Sequence, residues 1–425
     1  MEIISPINQR WLLCILASFT GCTILVLFLN YGHDDGVTLS ALGDLAIPPP
    51  EDLASEHFSK SEKMELLKPS NVSDEQGKIN QTEGKCDIFD GRWVYDAKTY
   101  PIYEASRCPF LSDQVSCLKN GRRDLNYERW RWEARECEIP RFNGMDLLKR
   151  LRGKRVIIVG DSLNRNQWES LACLLYTAVP SSRAEVKTGS GVYKIFRAKD
   201  YNCSVEFYWS PFLVQLDENQ ANGHRVLNLD KLSVSARRWR GADVMLFNTG
   251  HWWVHRGKSR AWDSFQHKGK LVEKLEVEAA FRMAMKTWAR WVDQNVDPSR
   301  TTVFFRSISP EHKGVKQWCY NQTQPIMDES YVQSFPRPVI KIVEGIIKDM
   351  RTPVTYLNIT RLSQYRKDAH PTVYTAKQGK LLTKEQRLQP ESYADCSHWC
   401  LPGLPDTWNV LLFASIVLET SKDIL

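Results

Sequence analysis

The chain has 425 residues, 42% hydrophobic and 11% aromatic, with 57 Lys and Arg against 50 Asp and Glu for a formal net charge of +7. Its basic residues are dispersed rather than run together, so the concentrated basic face that nucleic-acid binding demands is missing. A balance this mild selects no acidic substrate either.

The first element is Trp11–Leu29, WLLCILASFTGCTILVLFL, which contains no charged residue. At about 1.5 Å per residue it spans roughly 28 Å as a helix, enough for a hydrocarbon core. Secretory apolar regions run only about 7–15 residues, and no small-residue cleavage site follows Leu29. Arg10 precedes the segment while Asp34 and Asp35 follow it, which orients the N-terminus toward the cytoplasm. The expectation is a cytoplasmic tail over 1–10 and a transmembrane signal anchor over 11–29, hence a single-pass type II protein. A long cleaved signal peptide is the alternative, and it leaves the rest of the chain in the same secretory lumen. Sequons at Asn71, Asn80, Asn202, Asn321 and Asn358 agree with that compartment. Cys14 and Cys22 fall in the apolar segment, which leaves nine cysteines, most simply disulfides with one left over. Eight paired cysteines allow 105 connectivities, so the pairing stays open.

Residues 30–85 are poor in aromatics, rich in Glu, Ser, Lys and Asp, and contain Pro48–Pro50. They read as a flexible, glycosylated stem. Cys86 opens a denser regime, CDIFDGRWVYDAKTYPIYEASRCPF, expected up to Arg141 to be irregular and disulfide-stapled; 86–150 is taken as a smaller lobe of the domain 86–425. From 151 onward the pattern is regular. RVIIV (155–159) is a buried strand and 164–176 a helix. ADVMLF (242–247) is a second strand, followed by an amphipathic helix near 272–294. TTVFFRS (301–307) is a third strand, 338–350 a helix, PVTYLNI (353–359) a fourth strand, and 406–418 a last helix with Asp406 as its N-cap. This alternation predicts an α/β fold, a doubly wound and mostly parallel sheet with helices on both faces.

Ser162 follows the first strand in VGDSLNRNQWESL, at the carboxyl end where open α/β sheets bind ligands. The start of the next helix offers backbone N–H groups and a positive dipole end to an oxyanion. Taken alone, Gly160–Asp161–Ser162 is more simply a turn glycine and a capping serine. A serine nucleophile needs a histidine base, and that base needs an orienting carboxylate. ADCSHWC (394–400) supplies Asp395 and His398. Zinc is the competing reading of this stretch, but no second ligand pair at similar spacing accompanies it. In the lumen Cys396 and Cys400 are better read as disulfide members that hold the loop.

With these residues in view, GDSLNRNQWESL and DCSHWCLPGLPDTWN resemble the two signatures of the plant trichome birefringence-like proteins. These are Golgi polysaccharide O-acetyltransferases related to GDSL/SGNH esterases. CDIFDGRWVYD, NGRRDLNYERWRW, FNTGHWW and YRKDAHP extend the resemblance from Cys86 to the C-terminus. It implies an SGNH-hydrolase-like fold, Ser162 as nucleophile, His398 as base and Asp395 as its carboxylate. It also implies Asn248, in FNTGHWW, as an oxyanion donor, with Arg165 as a possible charged one. The pattern expects an oxyanion glycine too, to which no position is assigned. The implied reaction moves acetyl from a donor, by class acetyl-CoA, to a cell-wall polysaccharide in the Golgi, with no bound cofactor or metal. RRDLNY, FRAKDYN and KQGKLLT resemble xylan-acetylating members, so xylan leads pectin and mannan as acceptor. A polysaccharide esterase with the same residues, or a non-catalytic wall-polysaccharide-binding protein, are the alternatives.

Other residues carry weaker readings. His370, with Asp368 nearby, rivals His398 as base but reads better as a structural histidine before Pro371. His251 lines the cleft or packs in the core. Trp252, Trp253, Trp399 and Trp408 are sugar platforms or core, with nothing to choose between them. Asp161 is expected to shape the turn.

Overall fold

The computed structural model describes residues 86–422 except 189–190, 219–222, 273, 314–317, 332–336 and 378. The predicted tail, anchor and stem, with Asn71 and Asn80, lie outside the described residues. Among the described residues, no helix is long and apolar enough to cross a membrane.

The segment read as irregular holds an antiparallel ribbon, a correction to the sequence reading. Strand β1 (Gly91–Tyr95) pairs with β2 (Trp130–Ala134), Trp93 opposite Trp132. Both indoles bury on one face with centroids 5.5 Å apart, while Arg92 and Arg131 pair with Glu133 on the other. The strands are only five residues long, and no short hairpin loop marks them for a sequence reader.

Helix α1 (Gly144–Arg150), capped by Asn143, leads into β3 (Arg155–Gly160) and α2 (Ser162–Tyr176). Then come β4 (Ala184–Lys187), β5 (Tyr193–Ala198), β6 (Cys203–Trp209), β7 (Val214–Glu218), β8 (Arg225–Leu232) and β9 (Val244–Phe247). They are followed by β10 (Ser264–His267), β11 (Lys270–Val272), α3 (Val277–Asn295), β12 (Thr302–Arg306), α4 (Arg337–Lys348) and β13 (Val354–Leu357). After several one-turn helices and a short strand pair, α5 (Leu404–Lys422) ends the described chain. The seven-stranded sheet has the order β13-β12-β9-β3-β6-β5-β4. Strands β13 through β6 run parallel, whereas β5 runs antiparallel to both β6 and β4. The sheet is therefore mixed, and a second, four-stranded sheet, β11-β10-β8-β7, stands beside it.

The four predicted strands are the contiguous row β3, β9, β12 and β13. RVIIV is continuously apolar because both of its faces are covered. Val156 and Ile158 pack with Trp168 of α2 and Leu412 of α5, while Ile157 and Val159 pack with Trp288 of α3 and Ile342 of α4. Each such side chain contributes about 1.5–3 kcal/mol on burial. Strand β6 escaped the sequence reading because Glu206 interrupts its apolar run. That carboxylate is satisfied by two guanidinium bonds from Arg155, at 2.9 and 2.8 Å, and by the Tyr208 hydroxyl. The helix predicted from 272 starts at 277, since 270–272 is strand β11.

Four disulfides join described residues: Cys86–Cys137, Cys108–Cys173, Cys117–Cys400 and Cys319–Cys396. The first closes the ribbon segment, the second ties it to α2, and the last two hold the loop ahead of α5. The odd cysteine is Cys203 on β6, whose thiol burial pushes up to about 12.

Asp406 is not the cap of α5 but lies in its first turn. Its carboxylate accepts from the Gly403 N–H at 2.7 Å, the Tyr103 hydroxyl at 3.1 Å and the Ser170 hydroxyl. Burial pushes this carboxyl up to about 6, and that of neighbouring Glu128 up to about 7. A carboxyl raised on folding stabilises fully below its unfolded pKa, about 4, and loses that contribution as pH rises through the folded value. Urea unfolding of the wild type relative to Asp406→Asn should thus lose about 1–3 kcal/mol between pH 4.5 and 8. Identical pH dependence in the two proteins would remove the assignment.

Candidate active site

In chain order the parallel strands sit as second, first, third, fourth, fifth, so the order reverses at β3. Open α/β sheets bind ligands outside the carboxyl ends of their strands at that reversal. Gly160 ends β3 there, and a Cβ on it would come within 2.8 Å of the Asn248 carbonyl and 2.9 Å of the Asn164 amide. Only glycine fits.

Asp161, not Ser162, caps α2: its carboxylate accepts from the Leu163 N–H at 2.9 Å. Ser162 is consequently the first helical residue, with its hydroxyl free of the capping role. Its Oγ lies 2.7 Å from His398 Nε2, and His398 Nδ1 lies 2.8 Å from Asp395 Oδ2. The other Asp395 oxygen accepts from the Ser397 and His398 N–H groups, each at 3.0 Å. Burial opposes ionisation of Asp395, but its pairing with His398 and these bonds outweigh it and hold the carboxyl well below the usual range. With Asp395 ionised, Nδ1 carries the imidazole proton and Nε2 is left to accept from the serine.

The loop bearing Asp395 and His398 is held from four sides. Asp395 exchanges both backbone bonds with Thr372, at 3.0 and 2.8 Å. Cys396 and Cys400 are disulfide-bonded to Cys319 and Cys117, so their thiolates are not zinc ligands and the metal reading of this stretch falls. Trp399, fully buried, donates its backbone N–H to the Asn166 side-chain oxygen and its indole N–H to the Ser309 hydroxyl. The Leu401 N–H reaches the Val115 carbonyl in the smaller lobe.

Asn248 and Arg165, the expected oxyanion donors, are already engaged. With its amide in the orientation that satisfies both atoms, Asn248 donates to Asp161 at 3.1 Å and accepts from Arg306 at 3.1 Å. Arg306, buried and pushed down to about 10 by that burial, also donates to Asn164. This network pins the turn that presents Ser162. Arg165 donates to Gln114, whose amide nitrogen lies 3.1 Å from His398 Nδ1 and 3.5 Å from Asp395 Oδ2. Sequence reasoning missed Gln114: nothing local marks it, and its partner is 284 positions away. The Ser162 N–H itself belongs to the first turn of α2, where a helix has no internal acceptor for it, and the positive dipole end lies there too.

His370 is wholly buried. Its Nδ1 donates to the His398 carbonyl at 2.7 Å, its Nε2 lies 2.7 Å from His312, and its ring stacks on Trp399 at 3.8 Å. Burial drives it well below the ordinary histidine range, so it is neutral. Asp368 pairs with Arg366 instead of orienting His370. His251 is buried in an ion pair with Glu311 at 2.7 Å, which outweighs desolvation and raises its pKa. Nitrogens of His251 and His255 and an oxygen of Glu311 lie within 4.8 Å of one another, a set able to hold a cation. Lys313 already neutralises Glu311 from 3.1 Å and opposes one. Trp253, Trp399 and Trp408 are core, whereas Trp252 is half-buried at the sheet's carboxyl edge.

Comparison with known proteins bears on the whole described chain. A family model described as PC-Esterase, a GDSL/SGNH-like acyl-esterase family found in Pmr5 and Cas1p, matches residues 139–415. A second, the PMR5 N terminal domain, matches 84–138. Protein trichome birefringence-like 3 of Arabidopsis thaliana is 41% identical over 383 residues, 87% of each chain. Protein trichome birefringence-like 1 of the same plant is 42% identical over 81% of this chain and 64% of its own length. Xylan O-acetyltransferase 6 of Oryza sativa subsp. japonica is 44% identical over 78% of this chain and 62% of its own. The chain thus spans less than two thirds of the length of the last two relatives.

Proposed function

This chain belongs to the PC-esterase family of GDSL/SGNH-like acyl-esterases, and on that footing we propose that it transfers acetyl groups to a plant cell-wall polysaccharide through an acetyl-serine intermediate. The observation that carries the reading is the relay Ser162–His398–Asp395, with links of 2.7 and 2.8 Å. His398 Nε2 takes the Ser162 proton as Oγ attacks the acetyl carbonyl of the donor. Negative charge then develops on the carbonyl oxygen at the start of α2, where the Ser162 N–H and the helix dipole favour it. As the tetrahedral species collapses, His398 returns its proton to the leaving group, the thiolate if the donor is acetyl-CoA, and Ser162 is left as an acetyl ester. A sugar hydroxyl enters next, gives its proton to His398 and attacks that ester. Ser162 leaves, recovers the proton from His398, and the acetylated sugar departs. Asp395 holds the imidazole tautomer throughout and stabilises its charged form.

Relatives named as xylan O-acetyltransferases support xylan as the acceptor. The four disulfides suit an oxidising lumen, and Asn202, Asn321 and Asn358 are all exposed, as glycan acceptors must be. Both support the proposal of a Golgi type II enzyme anchored through residues 11–29. Water in place of the sugar would make the same relay an esterase, so the test must see the product. The full-length protein, purified in detergent, is incubated with acetyl-CoA and deacetylated xylo-oligosaccharides, and the products are weighed. Oligosaccharides heavier by one acetyl group are expected. Release of acetate with the oligosaccharides unchanged would overturn transfer in favour of hydrolysis.

A further inference from the structure

Strand β3, which delivers Ser162, lies between β6 and β9, and a tryptophan stands at the carboxyl end of β6 and another five residues beyond that of β9. Trp209 is the last residue of β6 and stands in register with Gly160; the Ser210 N–H then donates to the Gly160 carbonyl at 2.8 Å. Trp252 follows β9. Their rings meet edge to face with centroids 5.6 Å apart, so two half-buried indoles from the flanking strands bridge the carboxyl end of β3. Strands are spaced about 4.8 Å apart. The bridge therefore stands within two strand widths of the turn that presents the nucleophile.

A cleft of about 590 Å³ is lined by Trp209 together with Tyr193, Phe212, Leu216 and Val234. Val234 is 65% exposed and Leu216 38%, so apolar side chains of this lining face solvent. Its charged residues cancel, with Asp217 and Glu218 against Arg237 and Arg238. Pyranose rings present apolar C–H faces that stack on indole and phenol rings, and their hydroxyls need no counter-charge. A polyuronate would need a net positive lining, which this cleft lacks.

We propose that the Trp209–Trp252 bridge and the cleft that Trp209 and Val234 line form the acceptor subsite, holding successive rings of an uncharged glycan with one ring presented to Ser162. This rests on the transferase reading given above, but binding can be measured without turnover. The probes are a deacetylated xylo-oligosaccharide of six rings, one of two rings, and an oligogalacturonide of six. Each is titrated into full-length Ser162→Ala protein in detergent by calorimetry. The six-ring neutral probe is expected to bind, at least tenfold tighter than the galacturonide. Adding Trp209→Ala or Trp252→Ala should weaken it tenfold or more, with Trp209→Phe recovering most of the loss. Val234→Glu, at an exposed position that cannot disturb the core, should weaken the six-ring probe and leave the two-ring probe unchanged. The subsite is overturned if natively folded Trp209→Ala and Val234→Glu proteins bind the six-ring probe like their parent, or if the galacturonide binds more tightly. Failure of the transferase reading would show separately, as normal glycan binding by a wild-type protein that acetylates nothing.

Discussion

Ser162→Ala should reduce acetyl transfer by at least about 10³–10⁴-fold and leave the folded protein essentially as stable as before. The two halves of this expectation have separate causes. Chemically, Ser162 Oγ is the group that His398 Nε2 holds at 2.7 Å, and its removal takes away the site of the acyl intermediate. Structurally, Asp161 caps α2, so removing the Ser162 hydroxyl takes away one half-exposed hydrogen bond and no cap. The cost is then below the roughly 1 kcal/mol that loss of a helix cap carries. Transfer rate and thermal midpoint, measured on the same preparation, test both halves. Near-wild-type turnover with an unchanged midpoint would end the acetyl-serine mechanism.

His398→Ala and His370→Ala should fail in opposite ways. His398 is partly exposed and held through its ring nitrogens by Ser162 and Asp395. Its removal should abolish transfer by several orders of magnitude while the protein still folds. His370 is buried against Trp399 and bonded to the His398 carbonyl and His312. Truncating it leaves a cavity and unpaired polar groups, for about 2–4 kcal/mol of lost stability, with activity surviving in the folded fraction. The comparison is rate per folded molecule, scaled by circular dichroism. A folded but inactive His370→Ala protein beside an active His398→Ala protein would exchange the two roles.

The contrast between these histidines shows where the sequence stops. Both follow an aspartate at short spacing, Asp368 before His370 and Asp395 before His398. Only the structure shows that Asp368 is spent on Arg366 while Asp395 reaches His398. Partner choice depends on which charges the fold brings together, and an arginine two residues away competes as well as any distant group.

The sequence by itself determined the features whose physics is local. Central parallel strands must be apolar on both faces, so RVIIV, ADVMLF, TTVFFRS and PVTYLNI stand out as runs, and the helices between them carry their own periodicity. The Gly-Asp-Ser turn and the Asp-Cys-Ser-His loop are also local, so the three residues of the relay were legible as candidates. Tertiary structure alone decided what spans the chain. Strand β6 hides because it buries a glutamate that Arg155, 51 residues away, and the Tyr208 hydroxyl make tolerable. The disulfide partners hide because any of 105 pairings suits the composition. The Ser162–His398 bond, across 236 residues, and the Gln114 contact to His398, across 284, depend on strand order and loop anchoring. The indole bridge over β3 exists only because β6 and β9 flank it. Residue type and spacing encode which groups can react, but the distance between them is set by packing, and packing is a property of the whole sheet.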